Sequence, residues 1–132
     1  MNINIDRDDE RIKQTGEVFT PPELVNEILD KFPPEIWSDP NQTFLDPSCG
    51  DGNFLVEVKK RLIEAGHSEQ HVIENMIFGV DIMEDNVRAC IHRLNAQYYK
   101  HNIVCHDALT YDYSFGRTQT IDGIDGEPLF IF

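Results

Sequence analysis

The chain has 132 residues, 40% hydrophobic and 27% charged, which suits one globular domain with a single core. Its 11 basic and 24 acidic residues give a net charge of −13, a surface that repels a phosphate backbone, so contact with DNA is expected only through a partner or an oligomer. Short apolar runs and a polar, acidic start (Met1 to Asp9) predict neither a membrane span nor a secretory signal, and Cys49, Cys90 and Cys105, without CxxC spacing, read as reduced thiols in a cytoplasmic protein.

Residues 1–14 mix charges without apolar periodicity and read as a flexible arm ahead of one domain over 15–132. A helix is expected to start at Thr20, with Pro21 in its first position and Glu23 closing a capping box. Leu24, Val25, Ile28, Leu29 and Phe32 mark its inner face, and Pro33-Pro34 stops it. A connector with Trp37 and Pro40 leads to a strand, Thr43 to Asp46. A second helix follows, with Phe54, Leu55, Val58, Leu62 and Ile63 inward and an end near Gly66. Its basic run Lys59-Lys60-Arg61 reads as a solvated face. After a linker and a short helical turn before Glu74, Met76 to Asp81 reads as a strand buried on both faces. A third helix is expected over Met83 to Gln97, a strand over Asn102 to His106, and a fourth strand over Leu129 to Phe132. Tyr111, Tyr113 and Phe115 form a candidate exposed aromatic cluster. Strands alternating with helices predict an α/β fold, a parallel sheet with flanking helices.

Asp46, Asp81 and Asp107 fall at three successive strand ends, where open parallel sheets bind their ligands. Between the first strand and its helix runs Asp46-Pro47-Ser48-Cys49-Gly50-Asp51-Gly52-Asn53-Phe54, and Gly50 and Gly52 there allow a tight turn and close approach of a ligand. The loop is neither a GK[ST] phosphate loop nor GxGxxG, and Asp46 disfavours a pyrophosphate. It better suits a ligand with an ammonium, such as the methionine part of S-adenosylmethionine. Asp81 is placed to accept from ribose hydroxyls, Ile82 to pack on an adenine face, and Asp107 to accept from the adenine amino group beside Ala108 and Leu109. Asp46 and Asp81 equally suit capping of the helices that follow, and Asp107 the opening of a turn. No His or Cys spacing suggests a metal, and Cys49 at a helix N-terminus reads as structural.

Nearly the whole chain, roughly residues 14–132, resembles the S-adenosylmethionine-dependent N6-adenine DNA methyltransferases, which include modification subunits of restriction systems. Thr15-Gly16-Glu17-Val18-Phe19-Thr20-Pro21 is similar to motif X, Phe44 to Leu55 closely matches motif I, Phe78 to Ile82 is similar to motif II and His106 to Leu109 to motif III. The resemblance implies a Rossmann-like methyltransferase fold with S-adenosylmethionine as cofactor. It also implies that Phe19 and Thr20 line the methionine end, that Asp46, Cys49, Gly50 and Phe54 form the floor, that Pro47 and Gly52 of the same loop bind the cofactor, and that Asp81 and Asp107 hold ribose and adenine.

The family's motif IV, (Asn/Asp/Ser)-Pro-Pro-(Tyr/Phe/Trp), carries the base chemistry and is absent from these residues. The reading is therefore a cofactor-binding half, cut after the fourth strand, that methylates adenine only with a partner supplying that motif. The alternative is a non-catalytic cofactor-binding or partner-binding protein. An apolar edge strand at Leu129 to Phe132 further predicts self-association, pairing with another chain, or an irregular tail in place of the strand.

Overall fold

The computed structural model describes residues 20–116 and the backbone of Leu129–Ile131. The expected N-terminal arm, most of motif X and the segment before the last strand lie outside the described residues.

The first helix, α1, spans Pro22–Leu29, with Pro21 extended at its N-cap (φ −69, ψ 154). Here the expected capping box fails: Thr20 is not at the cap, and among the described residues no side chain caps the helix. The reason is the Pro-Pro pair, because a residue before proline is driven out of the helical region, so Pro21 cannot itself be helical and Pro22 takes the first position. The helix also ends before Phe32, at Leu29. Val25 and Leu29 are fully buried, whereas Leu24, expected inward, is exposed.

A 3-10 turn, Pro34–Trp37, leads to β1, Thr43–Asp46, all four residues of which are buried. Helix α2 runs Asn53–Glu64 and buries Leu55, Val58 and Leu62, while Ile63 turns out to solvent, contrary to expectation. Its basic run is not a solvated face. Lys59 Nζ lies 2.6 Å from Glu69 Oε2 and 2.7 Å from the Leu94 carbonyl, and Arg61 pairs with Asp30 at 2.6 Å and stacks over Trp37. Only Lys60 of the three is exposed.

One helical turn, α3 (Glu69–His71), continues into a π turn, Val72–Met76, and then into β2, Ile77–Asp81, buried throughout. Helix α4 spans Glu84–Arg93, shorter than expected. Asn95 just beyond it adopts a left-handed conformation (φ 60), a helix stop that asparagine tolerates, and a separate 3-10 turn takes Ala96–Tyr98. Strand β3 is Ile103–Cys105 and β4 is Leu129–Ile131, so the tail is a strand and not irregular.

The four strands are parallel in the order β3-β2-β1-β4. The chain steps from β1 outward to β2 and β3, then β4 pairs on the opposite side of β1, so strand order reverses at β1. Such a reversal opens a crevice beyond the carboxyl end of the strand, the place where open α/β sheets bind ligands.

Alternation along the strands divides the core in two. Phe44, Ile77 and Ile103 face the helices and pack with Val25, Leu55, Leu62, Val87 and Leu94. Leu45, Phe78 and Val80 face the other way and pack with Phe115, flanked by Tyr111 and Tyr113. The aromatic cluster is therefore not an exposed feature: Phe115 is buried, and its ring meets Phe78 edge-on at 5.1 Å. It covers the second face of the sheet, which needs an apolar partner as much as the first.

Candidate functional site

The three strand-end aspartates fold back in the same way. Each uses Oδ1 to accept the backbone N–H two residues on: Asp46 from Ser48 at 3.1 Å, Asp81 from Met83 at 2.8 Å and Asp107 from Leu109 at 2.9 Å. These local turns satisfy amides that leave the sheet ladder, so the structural roles weighed for them are real. They do not use up the carboxylates. Among the described residues Asp46 Oδ2 has no hydrogen-bond partner.

Asp81 ties the pieces together. Its Oδ2 accepts the Gly50 N–H at 2.9 Å, and its Oδ1 also accepts from the buried Asn86 amide at 3.4 Å. Three of about four carboxylate lone-pair directions are thus occupied, leaving one for an incoming hydroxyl. The Cys49 N–H donates to the Val80 carbonyl at 2.9 Å, so the loop is held along β2 by two successive bonds.

Glycine is required at two points. Gly52 caps α2 with φ 99, and a Cβ there would meet Cys90 Sγ at 3.0 Å. Gly79, inside β2 and beside Asp46 in register, has no room for a Cβ: Leu55 Cδ1 would lie at 2.9 Å and Cys49 Sγ at 3.1 Å. That missing side chain lets the loop and the start of α2 settle onto the sheet.

The electrostatics are anionic. Burial pushes the Asp46 carboxyl up from 3.8 to about 6, the Ser48 N–H opposes this, and the neighbouring Asp81 carboxylate adds to it. Contact with the Cys90 thiol, then burial, hold the Cys49 thiol well above its usual range, so despite its place before a helix it is not a thiolate. A third carboxylate, Asp51, has its buried Oδ1 without a hydrogen bond among the described residues, but 3.2 Å from Arg93 Nη1 as an ion pair.

Of the residues singled out in the sequence, Asp46, Cys49, Gly50, Gly52 and Asp81 are brought together by these bonds and contacts. The His106 N–H donates to the Asp81 carbonyl at 2.9 Å and brings the start of the Asp107 turn alongside. Ile82 and Leu109, at the ends of β2 and β3, are 62% and 94% exposed, so apolar surface stands open beside the carboxylates. Pro47 lies half-buried in the loop. Phe54 instead packs on the helix-side core, and Ala108 packs on the aromatic cluster, with its carbonyl accepting from the Tyr113 hydroxyl. Thr20 lies half-buried ahead of α1, and Phe19 is outside the described residues.

Sequence reading missed Gly79, Asn86, Cys90 and Arg93. Gly79 had a signal, since a glycine inside an apolar strand marks a close approach of backbone. Arg93, 40 residues from its partner Asn53, had none.

Among the described residues no helix is long and apolar enough to cross a membrane. A search of curated proteins finds no match. Of the solved structures, a protein described as a modification subunit of a type I restriction enzyme from Vibrio vulnificus is similar with a TM-score of 0.55 and 21% identity, over 83% of this chain and 23% of that one. This likeness supports the Rossmann-like α/β fold, and the chain spans about a quarter of that protein's length. The family model for N-6 DNA methylases matches residues 7–130. The chain belongs to the N-6 DNA methylase family.

Proposed function

We propose that the chain binds S-adenosylmethionine at the carboxyl ends of β1, β2 and β3, and that it serves methylation of adenine N6 in DNA with a partner that supplies motif IV. The observation that carries this reading is the set of Asp46, Asp81 and Asp107 around the β1 switch point, with the Gly50–Gly52 loop tied down against β2.

The residues present fit the cofactor. Asp46 is a buried carboxylate with an unused Oδ2 and no cation bonded to it among the described residues, which suits the ammonium of the methionine part. Asp81 retains one acceptor direction for a ribose hydroxyl; gripping two hydroxyls requires the Gly50 N–H to yield its place. Ile82 and Leu109 offer apolar faces to the adenine ring, and Asp107 an acceptor for its amino group. The cofactor, once bound, supplies an activated methyl on a sulfonium. This chain's residues bind and orient it.

Titration calorimetry of the 132-residue chain with S-adenosylmethionine and with S-adenosylhomocysteine tests the binding reading. Micromolar affinity is expected, lowered by Asp46→Asn, and lack of binding to either compound overturns the proposal. Labelled methyl groups should then pass to adenine in duplex DNA when a chain bearing motif IV is added. A second reading is a cofactor binder without methyl transfer. Binding without transfer under every pairing selects it.

A further inference from the structure

We infer that Arg93 is a positioning residue for the cofactor loop, acting from the last turn of α4 through Asp51 and Asn53. The inference rests on the cofactor reading above.

Three contacts converge on one nitrogen. Arg93 Nη1 lies 3.1 Å from the Asp51 carbonyl, 2.9 Å from Asn53 Oδ1 and 3.2 Å from Asp51 Oδ1. Its two hydrogens serve the carbonyl and the Asn53 amide oxygen, and its charge faces the buried Asp51 oxygen that has no hydrogen bond among the described residues. All three acceptors flank Gly52, whose left-handed conformation turns the loop into α2. Arg93 therefore grips both sides of the turn on which the loop's shape depends.

The same helix supports the loop at two other places. Cys90, one turn before Arg93, fills the space a Cβ on Gly52 would need. At the start of α4, Asn86 holds Asp81, which in turn holds the Gly50 N–H. Helix α4 is thus the bed of the loop, and Arg93 is its polar contact at the far end. The grip also has an electrostatic purpose. Asp46, Asp51 and Asp81 place three carboxylates around one short loop, and Arg93 is the cation that pairs with it among the described residues. Without it the Asp51 charge repels its neighbours and the loop opens.

The test uses the full chain with Arg93→Gln, Arg93→Lys and, as a control on the same helix, Arg88→Gln, whose side chain is 67% exposed and pairs with Glu84 in its own helix. Amide exchange is followed at Gly50, Gly52 and Asn53 and compared with Phe44 and Leu45 in β1. Cofactor affinity is measured by calorimetry. Arg93→Gln should speed exchange at the loop amides by about tenfold with β1 unchanged, and weaken S-adenosylhomocysteine binding by about tenfold, the equivalent of one hydrogen bond to a charged group. Arg93→Lys should retain most of both properties, Arg88→Gln all of both, and Asp51→Asn added to Arg93→Gln should restore part of the affinity by removing the unpaired charge. Unchanged loop exchange in Arg93→Gln overturns the inference. So does a wild-type affinity in that variant, or a fall in protection spread evenly over β1 and the loop, which marks a general structural role. Wild-type protein that binds neither cofactor form overturns the functional reading instead, while the exchange comparison still decides whether Arg93 shapes the loop.

Discussion

Asp46 offers a test in which stability and binding should move in opposite directions. Its carboxyl is raised from 3.8 to about 6, chiefly by burial. A carboxyl raised on folding keeps its proton in the folded chain after the unfolded chain has lost it, so folding stability falls as pH rises through this window and stays low above it. The displacement corresponds to about 3 kcal/mol at pH values above about 7, and to about 1 kcal/mol near pH 4.5, where the unfolded chain has only begun to pull ahead. Asp46→Asn never ionises and keeps an Oδ1 acceptor for the Ser48 N–H. The variant should therefore exceed the wild type in stability by up to about 3 kcal/mol near neutral pH and by about 1 kcal/mol near pH 4.5. Urea titrations of both proteins at the two pH values give the comparison, and subtracting one protein from the other removes every other acid in this strongly anionic chain. In calorimetry the same variant should bind S-adenosylmethionine about 10- to 100-fold more weakly, because the ammonium loses a charged partner. A stability difference that does not change with pH, or a variant less stable than wild type at neutral pH, refutes the reasoning.

Asp81→Asn should behave in the opposite sense in the ligand-free chain, losing about 1–3 kcal/mol, because an amide cannot accept from both Gly50 and Met83 and one buried donor is left facing another; urea unfolding reads the sign directly. Gly79→Ala should cost about 1–3 kcal/mol in the same assay, since its Cβ would meet Leu55 Cδ1 at 2.9 Å and press on Cys49, and cofactor affinity should fall with it. Gly52→Ala should cost about 1–3 kcal/mol through its left-handed backbone at φ 99. Glu69 is held below its usual range, first by the Lys59 hydrogen bond and then by the Tyr99 hydroxyl, so its contribution is present above the ordinary carboxylate value and is lost as pH falls through the depressed one. Lys59→Met should reduce that acid-side slope in thermal melts recorded from neutral to acid pH, the remainder being held by the Tyr99 hydroxyl.

The fold was legible where one local preference agreed with burial. The apolar runs at Phe44, at Ile77–Val80 and at Ile103 announce strands because both faces of a parallel sheet are covered, and Leu55, Val58 and Leu62 announce a helix that packs on one of them. Helix ends were less legible because they turn on single residues that compete. At α1 the Pro-Pro pair displaced a capping box that was otherwise well formed, and at α4 an asparagine able to turn left-handed ended a helix whose apolar pattern ran on. The misread basic run has a similar cause. Lys59 and Arg61 look like solvent-facing charges until Glu69, the Leu94 carbonyl and Asp30 arrive from distant segments. A long side chain can lay its stem on the core and still reach a partner, so charge alone does not decide its face.

The candidate site was legible through strand ends, and its limits follow from the same chemistry. An aspartate at a strand end suits a ligand because the sheet delivers its carboxylate to a crevice, and it suits the fold because the amide two residues on needs an acceptor once the ladder stops. Sequence pattern cannot separate these roles, since both ask for the same residue in the same place. The hydrogen bonds separate them atom by atom: Asp46 and Asp107 each commit one oxygen to a local turn, whereas Asp81 commits both oxygens, one to its own turn and one to the loop of another strand. On the proposed cofactor reading, Asp81 is the residue at which binding and folding compete most directly. A ribose that takes two of its acceptor directions must displace the Gly50 N–H, and the loop that Gly50 belongs to is the one Arg93 holds from the other side. The cost of loosening the first tie is then borne by the second, which is why the affinity of the proposed site should depend on an arginine that grips the loop from behind.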